Sequence, residues 1–485
     1  MGRARNYETG LYREFEKLNE KLDKLINENK SLSLTIYNLK STIKNLQKES
    51  KKDKETIQKL LLEIERLKNN NNKNSNNSGK PSSTNGFKKV ISNREKSNKK
   101  QGGQKEHKGT TLTKKDIDKM IKNGEIDEVI EVVENRNENN KNFKPIITYE
   151  YDIEIKRKVI KHITYPNYPT NISTSPVYYG NNLKTISNIL GMKYMSIDGI
   201  KNFISEITNN KIKLSKGTIY NWNKNISDKL NESEYLKIQE ELLNSLVLHV
   251  DETPIKINGK QYYVHSVSNK THTLQYVGKK RGEDTIKEFG FLTRYQGILI
   301  HDHFSMYYNY GIDNAECNVH ILRYLNGVCE FTKHIWAKEM KELLLSTRKQ
   351  KEELISKGIE KITDEEYSLV KARYLEIIAL GKEEYKKDYQ NNAYRDDERQ
   401  LLNRMEKYIH NHLLFLEKFY VPFSNNQAES DVRHVKIKQK IGKFRSVEGA
   451  NIYTITRSCY STYQKNDRNI YETLSKLMND KPILV

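Results

Sequence analysis

The sequence predicts a multidomain α+β protein with an N-terminal coiled coil, a small β module, a helical region and an α/β core that carries an all-helical insertion. Three observations lead to this prediction. They are a heptad repeat near the N-terminus, alternating apolar residues at 146–165, and a succession of strand, hairpin, helix and strand between residues 241 and 312. A chain of 485 residues has room for about two to four domains.

The predicted coiled coil occupies residues 1–68, and its heptad repeat begins at Phe15. Its two core positions are filled by Phe15, Leu22, Asn29, Ile36 and Ile43 and by Leu18, Leu25, Leu32, Leu39 and Leu46. Such a repeat predicts a coiled coil, and a polar core residue such as Asn29 fixes its register and strand number. Ser50 and Asp53 interrupt the repeat before it resumes at Ile57. The alternative is a long helix packed on its own protein, but the regularity of the repeat favours self-association.

Two segments of different character follow the heptads. Residues 69–112, including "NNNNKNSNNSGKPSSTNG", are rich in Asn, Ser, Gly and Lys, and this composition predicts a flexible basic linker. In residues 113–165, the stretch "IITYEYDIEIKRKVIKHITY" places apolar residues on one face at every second position: Tyr149, Tyr151, Ile153 and Ile155. A period of two predicts one or two strands of a small β module.

Residues 166–240 show a helical pattern. Within them, "SIDGIKNFISEITNNKIKLSKGTIYNWN" predicts two helices joined by a turn, with Ser215 as the N-cap of the second. In a helix-turn-helix, the second helix enters a DNA groove, which makes Thr218, Tyr220 and Asn221 candidate DNA contacts. The alternative is a helical hairpin that only contributes to a core.

Charge and cysteine content indicate the partner and the compartment. Lys and Arg number 84 against 63 Asp and Glu, and the net charge of +21 favours a polyanionic partner such as nucleic acid. Three cysteines give no disulfide framework and indicate a reducing compartment. We find neither an apolar signal region nor an apolar run of about 18 residues. We therefore expect a cytoplasmic, nucleoid-associated protein with no membrane partner.

Two aspartates of residues 241–312 share one sequence context. Asp251 in "LNSLVLHVDET" and Asp302 in "GILIHDHF" each follow a run of apolar strand formers, which predicts an acid at the end of each strand. Each aspartate alone could be a turn former. Together they favour a bound cation, because close like charges are costly and carboxylate oxygens suit Mg²⁺ or Mn²⁺. Residues 313–419 then read as helical throughout, with a stop at Gly358 and a capping box at 363–366.

A third acid lies in the C-terminal segment, residues 420–485. Glu429 in "NNQAESDVRHVK" is predicted in the first turn of a helix. Helical spacing places four cations on its face: Arg433, Lys436, Lys440 and Lys443. Asp431 lies off that face, which favours Glu429. However, "VKIKQKI" fits a strand equally well, and Gly442 must end or bend any helix before Lys443. Three carboxylates without a reactive nucleophilic side chain are typical of two-metal phosphoryl transfer.

Four motifs in this order resemble the DDE transposases of the IS66 (TnpC-type) family: "HVDETP", "HDHFSMYY", "AECNVHILRYL" and "NNQAESDVRHVKIKQKIGKFRSVEGA". The resemblance implies an RNase-H-like core at 241–312 and 420–485, interrupted by the helical insertion. It also implies that Asp251, Asp302 and Glu429 hold two Mg²⁺ or Mn²⁺ ions and catalyse cleavage at element ends and strand transfer into target DNA. Helper proteins from the same element are candidate partners.

The chain departs from this family in one segment. Relatives often carry a cysteine-rich, zinc-finger-like segment where residues 113–165 lie, but this segment contains no Cys, so we do not expect zinc there. For Cys317 and His320 we favour a structural role over a metal. Two other functions fit the sequence: a catalytically idle DNA-binding or assembly protein that retains the fold, and a DNA nuclease of the same fold. The intact acids disfavour the first.

Overall fold

The computed structural model describes residues 2–74, 76–78, 112–133, 146–161, 163, 177–388 and 393–479. It is mostly helical, with one mixed five-stranded sheet. The helices are α1 (Gly2–Asn72), α2 (Lys114–Lys122), α3 (Asn181–Met192), α4 (Ile197–Ile207), α5 (Lys216–Leu230), α6 (Leu236–Leu243), α7 (Glu283–Phe289), α8 (Asn318–Phe331), α9 (Trp336–Ser356), α10 (Asp364–Lys387), α11 (Arg395–Lys407), α12 (Ile409–Glu417), α13 (Asn426–Ile441), α14 (Val447–Lys465) and α15 (Ile470–Met478). The strands are β1 (Val247–Ile257), β2 (Lys260–Ser268), β3 (Thr273–Gly278), β4 (Ile298–His301) and β5 (Asp313–Glu316).

The described chain divides into two compact units. The first comprises α1, the described residues among 73–78, and the described residues of Ile300–His303 and Asn314–Asn425. The second comprises the described residues of Ser92–Leu299, Phe304–Asp313 and Asn426–Val485.

In the first unit, α1 is one continuous helix, as the heptads predict, and it runs four residues past the expected boundary at 68. The apolar side chains at its heptad core positions, from Phe15 to Leu67, are 48–68 % exposed. Just beyond the helix, Lys73 Nζ pairs with Asp397 Oδ2 at 2.6 Å, and Asn77 Nδ2 donates to Glu330 Oε2 at 2.6 Å. Residues that composition assigns to a linker thus contact α8 and α11.

Helices α8–α12 form the helical part of the first unit around buried apolar side chains. Trp336 of α9 and Tyr374 of α10 are fully buried, and Gly381 lets the helices approach, because a Cβ there would lie 2.8 Å from the Trp336 ring. The capping box at Thr363 and the break at Gly358, whose φ is +76°, are confirmed. Additional buried members are Met340, Leu344, Ile377, Leu402, Met405 and Leu413.

The sheet has the strand order β3-β2-β1-β4-β5. The first three strands form an antiparallel meander, and Asn258 and Gly259, both with positive φ, make the two-residue hairpin between β1 and β2. Two sequence predictions need correction. Helix throughout 313–419 is wrong at its start, because Asp313–Glu316 forms strand β5. Strand β1 continues six residues past Asp251, because pairing with β2 extends to Ile257.

In the second unit, α14 covers the outer edge of β3. An edge strand exposes unpaired backbone groups that invite other strands. Ser458 Oγ accepts the N–H of Gln275 at 2.8 Å, and Thr462 Oγ1 accepts the N–H of Thr273 at 3.1 Å. Hydroxyls one helical turn apart therefore match N–H groups two residues apart on the strand. This explains why one face of α14 is both buried and polar.

Helices α3, α4 and α5 surround a small apolar core made by Ile200, Ile204, Ile219 and Trp222. The predicted N-cap is present, because Ser215 Oγ accepts the N–H of Thr218 at 3.0 Å. The two predicted helices of this region are confirmed as α4 and α5.

The β module expected within 113–165 is not formed by the residues that the structure describes there. The segment contains helix α2, and 146–161 carries no strand. Tyr149, Tyr151, Ile153 and Ile155 are all exposed, so the described part of the chain does not cover the alternating face. For the described residues the prediction of strands was wrong, because alternation alone does not supply a paired strand. Over the described ranges, no helix is both long and apolar enough to cross a membrane.

We predict that Gly327→Ala detaches residues 73–78 from α8. A Cβ at Gly327 would lie 2.4 Å from the Asn77 carbonyl oxygen, and overpacking of this kind costs about 1–3 kcal/mol. Amide hydrogen exchange at residues 73–78 should accelerate. Gly10→Ala is the control, because nothing lies within 4 Å of a Cβ there. Equal exchange in the two variants would contradict the prediction.

Candidate active site and nucleic-acid interface

Asp251 lies in the middle of β1, on the sheet face that α13 covers. Asp251 is opposite Ser266, which is opposite Gln275, so the three side chains share one face of the sheet. The buried Gln275 side chain donates from Nε2 to the carbonyl of Asp431 in α13 at 3.0 Å. The face that carries Asp251 is therefore the face against which α13 packs.

Glu429 lies in the first turn of α13, as predicted, and is partly buried. Helix α13 packs against β1 and β2. A second tie lies near its other end, where Gln439 Nε2 donates to the Pro254 carbonyl of β1 at 3.2 Å. Glu429 and Asp251 thus belong to elements of one compact unit that are packed on each other.

Asp431, the other acid at the start of α13, has a counter-ion of its own. It is buried, and Lys465 Nζ lies 3.1 Å from its Oδ2. The same ammonium donates to the carbonyls of Asn269 and His272 at 3.0 Å and 3.2 Å. Burial lowers the pKa of Lys465. Because Lys465 neutralises Asp431, Glu429 is the better candidate ligand of these two acids. Helical spacing alone does not give this reason.

Asp302 directly follows β4, at the strand end where the sequence places it. Its Oδ1 atom is buried and has no hydrogen-bond partner among the described residues. The next residue, His303, has a φ of +83°, in the left-handed region that non-glycine residues seldom adopt. The His303 N–H donates to His301 Nδ1 at 3.1 Å, and burial lowers the pKa of His301 to about 4, which keeps that ring neutral and able to accept.

The cations expected beside Glu429 lie on a helix and not on a strand. Arg433, Lys436 and Lys440 are exposed on α13. Lys443 is also exposed, but α13 ends at Ile441, so the expected continuation of the helical face to Lys443 is wrong. Gly442 ends the helix, and Phe444 then bridges to Ile257 of β1. Three cations remain as a helical stripe, and Lys443 lies in the turn that follows.

The three candidate DNA contacts of α5 differ in their surroundings. Asn221 is exposed, whereas Thr218 is partly buried next to the N-cap. The Tyr220 hydroxyl donates to Glu448 Oε2 at 2.8 Å, and Lys224 pairs with the same carboxylate at 2.7 Å. Tyr220 therefore holds α5 against α14, and Asn221 is the member of the trio that is open to a ligand.

Sequence reasoning missed a buried acid next to Asp251. Glu252 points to the opposite sheet face, where its carboxylate accepts from Arg281 Nε and from the Tyr307 hydroxyl, each at 2.6 Å. Arg281 also lies over the Phe304 ring. These contacts fix β1 from the face that α13 does not cover. The sequence signal for Glu252 was the pair of adjacent acids in "DET". Neighbouring residues of a strand point to opposite faces of the sheet, so only one of the two acids can face α13.

Acids on a sheet beside an exposed cationic helix are features of enzymes that act on DNA. The model of the Transposase IS66 family matches residues 180–452, more than half of the chain, and the protein belongs to that family. The match contains α3–α13 and all three candidate acids. No curated protein and no solved structure matches the chain. Family membership confirms the predicted resemblance and implies a DNA-acting protein of a mobile element.

We predict that Asp431→Ala destabilises the second unit by about 3–5 kcal/mol, because Lys465 would stay buried without a counter-charge. Urea unfolding followed by circular dichroism measures the loss. Glu288→Ala is the control, because it removes an exposed carboxylate from α7 of the same unit. If the two variants unfold at the same urea concentration, the Asp431–Lys465 ion pair does not contribute to the stability of the second unit.

Proposed function

We propose that the protein is a DDE transposase in which Asp251, Asp302 and Glu429 hold two Mg²⁺ or Mn²⁺ ions, cleave DNA at the ends of the element and join the freed 3′-hydroxyl to target DNA. The observation that carries the proposal is that Asp251 shares its sheet face with side chains that contact α13, the helix of Glu429. Asp302 directly follows β4, the neighbour of β1 in the sheet order.

The donor set fits hard divalent cations. All three side chains offer carboxylate oxygens, which Mg²⁺ and Mn²⁺ prefer. The buried Oδ1 of Asp302 lacks a hydrogen-bond donor among the described residues, and a buried oxygen of this kind is costly unless a ligand satisfies it. Bound in pairs, such ions activate the attacking oxygen and stabilise the leaving oxygen. The chain itself holds the carboxylates on a strand, a strand end and a helix, which limits their movement.

The DNA would lie along α13 and α5. Arg433, Lys436 and Lys440 present exposed cations to phosphates on the helix that also carries Glu429. Asn221 on α5 is open to a base edge or a phosphate. Binding through these cations releases counterions and should weaken steeply with salt.

Self-association would occur through α1. Its heptad side chains are exposed over most of its length, although such a stripe is stable only when covered. Each heptad has two core positions. Leu fills the second one in nearly every heptad, and β-branched Ile recurs at the first. This combination favours a parallel two-stranded coiled coil. Asn29 then pairs with Asn29 of a second copy. Helper proteins from the same element remain candidate partners.

We expect Asp251→Asn, Asp302→Asn and Glu429→Gln each to reduce Mg²⁺-dependent cleavage of element ends by more than about a thousandfold, since each removes a ligand worth several kcal/mol in the transition state. Affinity for the same DNA, measured by fluorescence anisotropy, should stay near wild type. Ser430→Ala serves as the control, because Ser430 is the exposed neighbour of Glu429 on α13. Wild-type cleavage in any of the three acid variants refutes the triad, and cleavage without joining identifies a nuclease.

A second prediction concerns the assembly. Leu32→Lys with Leu39→Lys should lower the mass measured by light scattering to that of the chain lacking residues 1–68. Leu34→Lys with Tyr37→Lys is the control, because these residues are also exposed on α1 but lie off the heptad core positions. An unchanged mass in the Leu32 and Leu39 variant would rule out pairing through the heptads.

A further inference from the structure

The first unit contains a buried carboxylate that the proposed chemistry does not use. Glu316, the last residue of β5, is 1 % exposed, and two cationic or potentially cationic groups meet it from the helices. Arg404 Nε of α11 donates to Glu316 Oε2 at 2.8 Å, and His412 Nε2 of α12 lies 3.2 Å from the same atom. Burial alone would raise the pKa of Glu316, but His412, His303 and Arg404 outweigh it and hold that pKa well below its usual range.

The other carboxylate oxygen of Glu316 is committed to His303. Glu316 Oε1 accepts from His303 Nδ1 at 2.8 Å, and the ring of His303 also packs edge-on against Tyr408. His303 is the residue with the left-handed backbone directly after Asp302. A non-glycine residue keeps this conformation only where its surroundings enforce it. The bond to Glu316 and the His303 N–H donated to His301 Nδ1 are two contacts that hold His303 in this conformation.

We infer that Glu316 is a positioning residue for Asp302, which it orients by holding His303 and hence the backbone corner that carries the carboxylate. This inference rests on the proposed function, because it treats Asp302 as a metal ligand. Arg404 and His412 fix Glu316 from α11 and α12, so the helical insertion contributes to catalysis by giving one acid a rigid support. Displacing a group by even a small distance from its productive geometry reduces metal binding and rate together.

A purely structural role for Glu316 is the competing explanation, and the chain offers a matched control for it. Glu398 of α11 is another fully buried carboxylate of the same unit, which accepts from Trp336 Nε1 at 2.7 Å and lies 2.6 Å from His334 Nδ1. Trp336 is the first residue of α9, His334 lies two residues before that helix, and neither belongs to the segment around Asp302. Loss of the Glu398 charge should destabilise the unit without moving Asp302.

The test measures two quantities in the full-length protein: Mn²⁺ affinity, from the electron paramagnetic resonance signal of the free ion, and the single-turnover rate of cleavage. Glu316→Gln and His303→Ala should each weaken Mn²⁺ binding and slow cleavage by about 10–100-fold, the usual effect of removing a group that orients a metal ligand. His303→Asn should lose less than His303→Ala, because Asn adopts the left-handed conformation more readily. Glu398→Gln should match wild type in Mn²⁺ affinity.

Asp302→Asn separates the possible failures. If this variant loses Mn²⁺ binding and cleavage while Glu316→Gln and His303→Ala behave like Glu398→Gln, Glu316 is structural and the inference is wrong, but the proposed function stands. If Asp302→Asn binds Mn²⁺ and cleaves like wild type, the proposed function itself is wrong. His303→Ala keeps the test valid if Glu316→Gln fails to fold, because the His303 side chain is 30 % exposed and carries little of the core.

Discussion

The packing of α13 against strands β1 and β2 is the constraint on which the candidate site depends. The contact from the Gln275 side chain to the α13 backbone at Asp431 is made by a fully buried amide, so moving the helix would leave a buried donor unsatisfied. The Asp431–Lys465 pair then ties the same turn to α14. Because Glu429 lies two residues earlier, its position relative to β1 is set by these buried polar contacts and not by its own side chain.

Buried charge is distributed unevenly, and the pattern distinguishes supporting acids from those available to a ligand. Glu252, Glu316, Glu398 and Asp431 are buried, and each has close cationic, hydroxyl or ring N–H neighbours within its own unit. Compensation of this kind makes a buried carboxylate tolerable. Asp302 differs, because its buried Oδ1 meets no donor in the described parts of the chain. A buried carboxylate oxygen that lacks a donor among the described residues is what the proposed role of Asp302 as a metal ligand requires.

Sequence reasoning succeeded where a single local pattern decides the structure and failed where pairing over distance does. The hairpin strands β2 and β3, the Thr363 capping box and the helix at Glu429 follow local patterns and were predicted. The end of β1 was not, because Asp251 and Pro254 resemble a strand terminus although pairing with β2 continues past both. Strand β5 was missed because its four residues are too few to show a period. Glu316 was missed, because its partners Arg404 and His412 lie about 90 residues away on helices of the insertion.

The end of α13 explains how the cationic stripe is held in place. After Gly442 the chain returns to the hairpin between β1 and β2, where the N–H of Asn258 donates to the Phe444 carbonyl at 3.0 Å and Phe444 is buried. The helix is thus fixed near its start by Gln275 and just past its end by the hairpin. Cations on a helix fixed at both ends cannot move independently of β1. A phosphate backbone bound along Arg433, Lys436 and Lys440 would therefore lie in one constant register relative to Glu429 and Asp251. Phosphate contacts that do not depend on DNA sequence would then still determine which bond lies next to the acids.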